Sequence, residues 1–82
     1  MSRDAVQSSG TAGGPVINLV VNGDGREVPP ETTVAGLLVE LGLEGRPVLV
    51  ERNGDALFPR DFAVTALGDG DRVEIVRMVA GG

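Results

Sequence analysis

The sequence contains no cysteine, histidine, lysine, tryptophan or tyrosine, and only two phenylalanines. Each absence closes off a kind of chemistry. Without cysteine there is no disulfide, no thiolate nucleophile and no zinc–thiolate site. Without histidine the commonest general base and the commonest metal ligand are missing. The hydroxyl residues have no base beside them in the sequence, so no nucleophile–base pair can be assembled. Paired carboxylates for glycoside chemistry need a cleft, and 82 residues are too few to enclose one. There is no Gly-x-x-x-x-Gly-Lys phosphate loop. Without lysine the chain also lacks a side-chain isopeptide acceptor. What survives is a carrier or a binding module rather than an enzyme.

Positive charge is also scarce. Seven arginines face twelve acidic residues, for a net charge of −5. An acidic chain without an interleaved aromatic and basic patch is a poor nucleic-acid ligand and a poor match for an anionic membrane surface. The apolar runs are too short to span a bilayer. Met1-Ser2-Arg3-Asp4 leads into no apolar segment of the signal-peptide kind, so the expected location is the cytoplasm. The length allows one domain, and its core must be built from valine, leucine and isoleucine.

The stretch that organises what is present is the last one. Leu67-Gly68-Asp69-Gly70-Asp71 is turn chemistry, and Arg72-Val73-Glu74-Ile75-Val76-Arg77-Met78-Val79 is a strand rich in β-branched residues. The strand runs into Ala80-Gly81-Gly82, a tail slim enough to lie extended in a narrow channel. Val73 and Ile75 alternate onto one strand face, and Glu74, Val76 and Met78 onto the other. If the first face packs on a helix, Val76 and Met78 are left outward beside the tail as a protein-binding patch.

Upstream, residues 1–15 have the composition of a flexible linker and read as a disordered extension, with a vector remnant as the alternative. Ile17 to Asn22 is a strand, Asn22-Gly23-Asp24-Gly25 a hairpin signal, and Arg26-Glu27-Val28 a short returning strand stopped by Pro29-Pro30. Thr32 or Thr33 caps a helix whose apolar stripe is Val34, Leu37, Leu38 and Leu41. Gly42 takes the left-handed position after the helix, and Leu43 makes the accompanying apolar contact. Gly36 inside the helix is expected to serve close packing against a sheet. Val48 to Arg52 is a third strand, Asn53-Gly54 a two-residue turn, and Asp55 to Phe58 a brief fourth strand ended by Pro59. From Pro59 to Leu67 runs a connector with Phe62 and Val64 as inward anchors.

The order β-β-α-β-β-β makes a small α+β unit with one helix across one face of a mixed sheet. The first and last strands, the most apolar, belong side by side, parallel and central. The core is expected to comprise Leu19, Val21, Val34, Leu38, Val73 and Ile75. Asp24, Glu27, Asp69 and Asp71 lack calcium-loop spacing and read as turn residues. Arg52 and Arg60 read as solvated side chains.

From Ile17 onward the chain resembles the ThiS family, the sulfur carriers of thiamin biosynthesis. The resemblance is carried by Val21-Asn22-Gly23, Thr32-Thr33-Val34 with Leu37-Leu38, Glu51-Arg52-Asn53-Gly54, Pro59-Arg60, and Asp69 to Val76 running into Val79-Ala80-Gly81-Gly82. It implies a ubiquitin-like β-grasp domain over residues 16–79, with residues 80–82 as a flexible tail. It further implies that the Gly82 carboxylate is adenylated and then converted to a thiocarboxylate. Ala80 and Gly81 would then form the threading tail, with Val76 and Met78 as partner-binding residues. The implied partners are an E1-like adenylyltransferase of the ThiF/MoeB type, a persulfide-bearing sulfur donor, and a thiazole synthase of the ThiG type. No cofactor is bound; ATP and Mg are used by the activating enzyme. The long Ser/Gly-rich N-terminus departs from the family pattern. Relatives that share the ending supply molybdopterin, cysteine or secondary-metabolite pathways, or are ubiquitin-like protein modifiers, so those readings stay open here.

Overall fold

The computed structural model describes residues 14–79. The expected extension falls almost entirely outside the described residues, as does the tail 80–82. Five strands and one α-helix follow the expected order: β1 Ile17–Val21, β2 Asp24–Val28, α1 Val34–Glu40, β3 Val48–Arg52, β4 Asp55–Leu57 and β5 Arg72–Arg77. The sheet order is β2-β1-β5-β3-β4. β1 and β5 run parallel; every other neighbouring pair is antiparallel. The last strand thus lies in the middle of the sheet, beside the first, as expected.

Both hairpins turn on two residues, Asn22-Gly23 and Asn53-Gly54. Positive φ at each of these positions (51° and 86°, then 51° and 88°) gives the turn the twist of its flanking strands. Because the first turn needs only two residues, β2 begins at Asp24, paired with Val21, rather than at Arg26. β4 stops at Leu57, which leaves Phe58 outside it and exposed.

The helix is closed at both ends. At its start the Thr33 hydroxyl accepts from the Gly36 N–H (3.0 Å), while Val34 N–H and Ala35 N–H donate to the carbonyls of Thr65 and Phe62. The connector therefore satisfies amides that a helix leaves unpaired. At its end Gly42 has φ +75°, with Gly42 N–H to Val39 O and Leu43 N–H to Leu38 O, the paired bonds of a Schellman cap. Val34, Leu37 and Leu38 are buried, and Leu41 and Leu43 pack on the core edge. All six expected core residues are buried; Val28, Leu37, Val48, Val50 and Leu67 join them.

Two expectations are corrected. Gly36 is not in close contact with the sheet. A Cβ there would meet only the side chains of Thr33 and Thr32, at 3.5 and 3.6 Å, an ordinary contact distance. Gly36→Ala is accordingly expected to raise stability by about 0.5–1 kcal/mol, since alanine loses less backbone entropy and nothing obstructs it. A chemical denaturation midpoint that falls instead would show that the cap cannot tolerate a methyl group. Val64, expected inward, is 78% exposed. The connector is not extended here: a 3₁₀ turn at Pro59–Asp61 continues into turn conformation through Val64. Residues two apart in such a coil point about 120° apart rather than to one side, so Phe62 packs on the core while Val64 faces water. Leu67 supplies the second anchor instead.

Candidate functional site

The candidate site is the exit of β5. The parallel β1–β5 ladder is short, with Val20 opposite Arg72 and Val21 opposite Val73. Side chains extend it in both directions. Toward its start, Asp69 Oδ1 accepts from the Asn18 backbone N–H at 2.7 Å, and Gly70 N–H donates to Asn18 O. Toward its exit, Asn22 bridges both backbone groups of Ile75: its Oδ1 accepts from Ile75 N–H at 2.7 Å, and its Nδ2 donates to Ile75 O at 3.2 Å. Asn22 is thus a turn residue and also the splint that continues the sheet after β1 has turned away. On the other side β3 pairs with β5 from Val48–Arg77 to Arg52–Val73, and Met78 N–H still donates to Pro47 O at 2.9 Å. β5 is held on both sides nearly to its last residue, and Val79 beyond it is 82% exposed.

The buried face of the sheet ends in charge at the start of β5. Asp71, 9% exposed, receives Arg52 Nε at 2.8 Å and the Gly68 N–H at 2.8 Å on one oxygen, and Asn53 Nδ2 at 3.0 Å on the other. Asn53 in turn exchanges hydrogen bonds with both backbone groups of Arg72. Burial alone pushes the Asp71 carboxyl up. The Gly68 N–H, the Asn53 amide and the Arg52 guanidinium outweigh it and hold the carboxyl below its ordinary value. This corrects the reading of Arg52 as solvated and of Asp71 as turn chemistry alone. The signal was present as alternation: counting back by twos from Ile75 and Val73 reaches Asp71, and forward from Val48 and Val50 reaches Arg52. Arg60 is exposed, as read, and lies over the exposed Phe58 ring at 4.7 Å.

A carboxyl held low in the fold contributes stability that is present above its unfolded value, about 3.9, and is lost as pH falls through the folded value. Asp71→Asn is therefore expected to lower stability at neutral pH by about 1–3 kcal/mol, because Arg52 loses its counter-charge, and to flatten the acid limb of the stability profile. Urea melts of both proteins from neutral pH down to pH 3 measure this; parallel profiles would show that the pair is not linked to folding.

Of the expected site residues, Val76 and Met78 are described. They stand on the open sheet face, 56% and 52% exposed, and Val76 is paired with Leu49, itself 44% exposed. Glu74 and Glu51 face each other one step before them on the same face. Ala80, Gly81 and Gly82 lie outside the described residues. No group of side chains among the described residues could hold a metal ion, and no described helix is long and apolar enough to cross a membrane.

A family model described as the ThiS family matches residues 16–82. This chain belongs to the ThiS family. The match begins at the first residue before β1 and runs through the glycine tail, so it covers the sheet, the exit strand and the segment beyond it. The thiamine biosynthesis protein (ThiS) from Geobacter metallireducens, known from its crystal structure, is 36% identical. The similarity covers 80% of this chain and 100% of that one, with a TM-score of 0.67. A thiazole synthase of Paramagnetospirillum magneticum is 42% identical over 66 residues, which are 80% of this chain and 20% of that protein. A thiazole synthase of Magnetococcus marinus is 32% identical over 62 residues, 76% of this chain and 19% of that protein. The chain spans about a fifth of the length of these two relatives. Its five-stranded mixed sheet with one helix is the β-grasp architecture of the ThiS family, a family of sulfur carriers rather than enzymes.

Proposed function

We propose that this chain carries sulfur for thiamin biosynthesis on the terminal carboxylate of Gly82. The observation that supports this most is a match to the ThiS family extending through residue 82, behind a strand held by Asn22 as far as Ile75 on one side and by β3 and Pro47 as far as Met78 on the other. A carrier of this kind needs a rigid platform and a slim tail, and no catalytic side chain. A carboxylate is a poor acyl donor. An E1-like adenylyltransferase, using ATP and Mg, joins it to AMP and releases pyrophosphate, which gives the acyl carbon a good leaving group. The persulfide of a donor protein then displaces AMP, and a thiol reduces the resulting S–S bond to leave the thiocarboxylate. Ala80 and Gly81 thread the partner's channel, while Val76 and Met78, with Leu49, dock the platform. The two thiazole synthases that contain a segment similar to this chain favour thiazole formation over molybdopterin, cysteine or secondary-metabolite pathways as the destination, with a thiazole synthase as the receiving partner.

Intact-mass measurement of the protein isolated from cells with an active thiamin pathway is expected to show a fraction in which one oxygen is replaced by sulfur, located to Gly82 by fragmentation. Adducts joining Gly82 to lysines of other proteins, with no thiocarboxylate, would identify a protein modifier instead.

A further inference from the structure

The buried sheet face ends in charged residues at both of its ends, and the two ends differ. At the start of β5 the charges are opposite and closed on each other, Arg52 against Asp71. At its exit they are alike. Counting by twos from Val28 reaches Arg26, and from Ile75 reaches Arg77, so two guanidinium groups extend the apolar face toward the same opening. The helix leaves that opening uncovered. Seven residues of α1 reach about 10 Å, whereas six residues of β5 reach about 20 Å. Beyond the end of α1 lies an open groove of about 470 Å³. Its apolar walls are Val21, Leu41, Leu43 and Ile75, and Arg26 and Arg77 stand at its rim.

The arginines of this groove are under-used. Arg26 Nη2 reaches Glu40 only at 3.5 Å, and Arg26 Nε is buried without a hydrogen-bond partner. Arg77 makes no salt bridge with any described residue. Asp24 also lines the groove, so its lining carries two cations against one anion in a chain whose net charge is −5.

We propose that this groove is a docking site for an extended segment of a partner protein that places a carboxylate side chain between Arg26 and Arg77 and an adjacent aliphatic side chain against Leu41, Leu43 and Ile75. Charge complementarity selects the carboxylate, which both guanidinium groups can bind with charge-assisted hydrogen bonds. The apolar walls select a peptide over a free anion. Arg77 is the residue immediately before Met78 and Val79, so the occupant lies beside the root of the tail, on the opposite sheet face from Val76. A partner that takes the tail can therefore grip the domain from both faces. The groove itself is independent of what the tail carries.

The test is a titration of the ¹⁵N-labelled chain, followed by amide shifts, with the peptide acetyl-Leu-Asp-Leu-Glu-amide. Saturable shifts are expected at Val21, Leu43, Ile75 and Arg77. Binding should weaken about tenfold or more with the amide counterpart acetyl-Leu-Asn-Leu-Gln-amide, and equally in Arg26→Gln/Arg77→Gln. Arg77→Gln alone, at an exposed position, gives the same comparison if the double variant does not fold. Four results would each overturn the proposal: no shifts, equal binding of the neutral peptide, the same shifts with inorganic phosphate alone, or shifts centred on Val76 and Leu49. Concentration-dependent shifts at the groove in the peptide-free protein would instead assign it to a second copy of this chain.

Discussion

Deleting Gly82 is expected to abolish adenylation. ATP–pyrophosphate exchange by the cognate activating enzyme should fall at least about 100-fold, while the thermal melt stays that of the full chain. The deletion draws the carboxylate back by about 3.3–3.6 Å along an extended chain. A misplacement of about 1 Å at a reacting centre already costs about 100-fold in rate. Adding one residue after Gly82 should be equally severe, because the reacting carboxylate becomes an amide. Gly81→Val should fail through bulk and lost backbone freedom. Met78→Asp and Val76→Asp act differently. Each puts a charge in the proposed docking patch, and interface cores exclude charge, so it should raise KM for the carrier more than it lowers kcat. The clamp on β5 allows these effects to be separated from folding: its hydrogen bonds run from Asn22 and β3, not from the tail. Full exchange activity without Gly82 would overturn the carrier reading and leave a plain binding module.

The second large effect is on stability. Leu37→Ala is expected to cost about 3–5 kcal/mol, because Leu37 is fully buried and its removal leaves a cavity in the core. A domain of this size has a total stability of only about 3–10 kcal/mol, so the variant should be partly unfolded at 37 °C. Leu41→Ala, at the half-buried end of the same stripe, should cost distinctly less. Urea denaturation of both variants measures the difference. Equal, small losses would mean that the helix stripe can collapse around the missing side chains.

The local features of this protein were legible because residues close in sequence encode them. Asn53-Gly54 was legible as a two-residue turn, since both positions need positive φ; at Asn22-Gly23 the hairpin was legible, but the sequence alone made its turn two residues too long. Thr33 and Gly42 bracket the helix because a hydroxyl and a left-handed glycine each satisfy groups only a few residues away. Period-two and helical spacing placed Leu19, Val21, Val34, Leu38, Val73 and Ile75 in the core. The exit strand and its two exposed residues, Val76 and Met78, followed from the same alternation.

Only the tertiary structure decided the rest, because it depends on which distant residues the register brings opposite one another. Arg52 and Asp71, 19 positions apart, form an ion pair because β3 and β5 are antiparallel neighbours in a particular register. Asn22 splints Ile75 across 53 positions because β1 turns away before β5 ends. Val64 faces water because the connector coils where alternation assumed extended chain. The groove exists because a seven-residue helix is shorter than the sheet it covers, a mismatch between two elements that neither shows by itself. Arg26 and Arg77 are 51 positions apart in the chain. The sheet order β2-β1-β5 is what brings them to one opening.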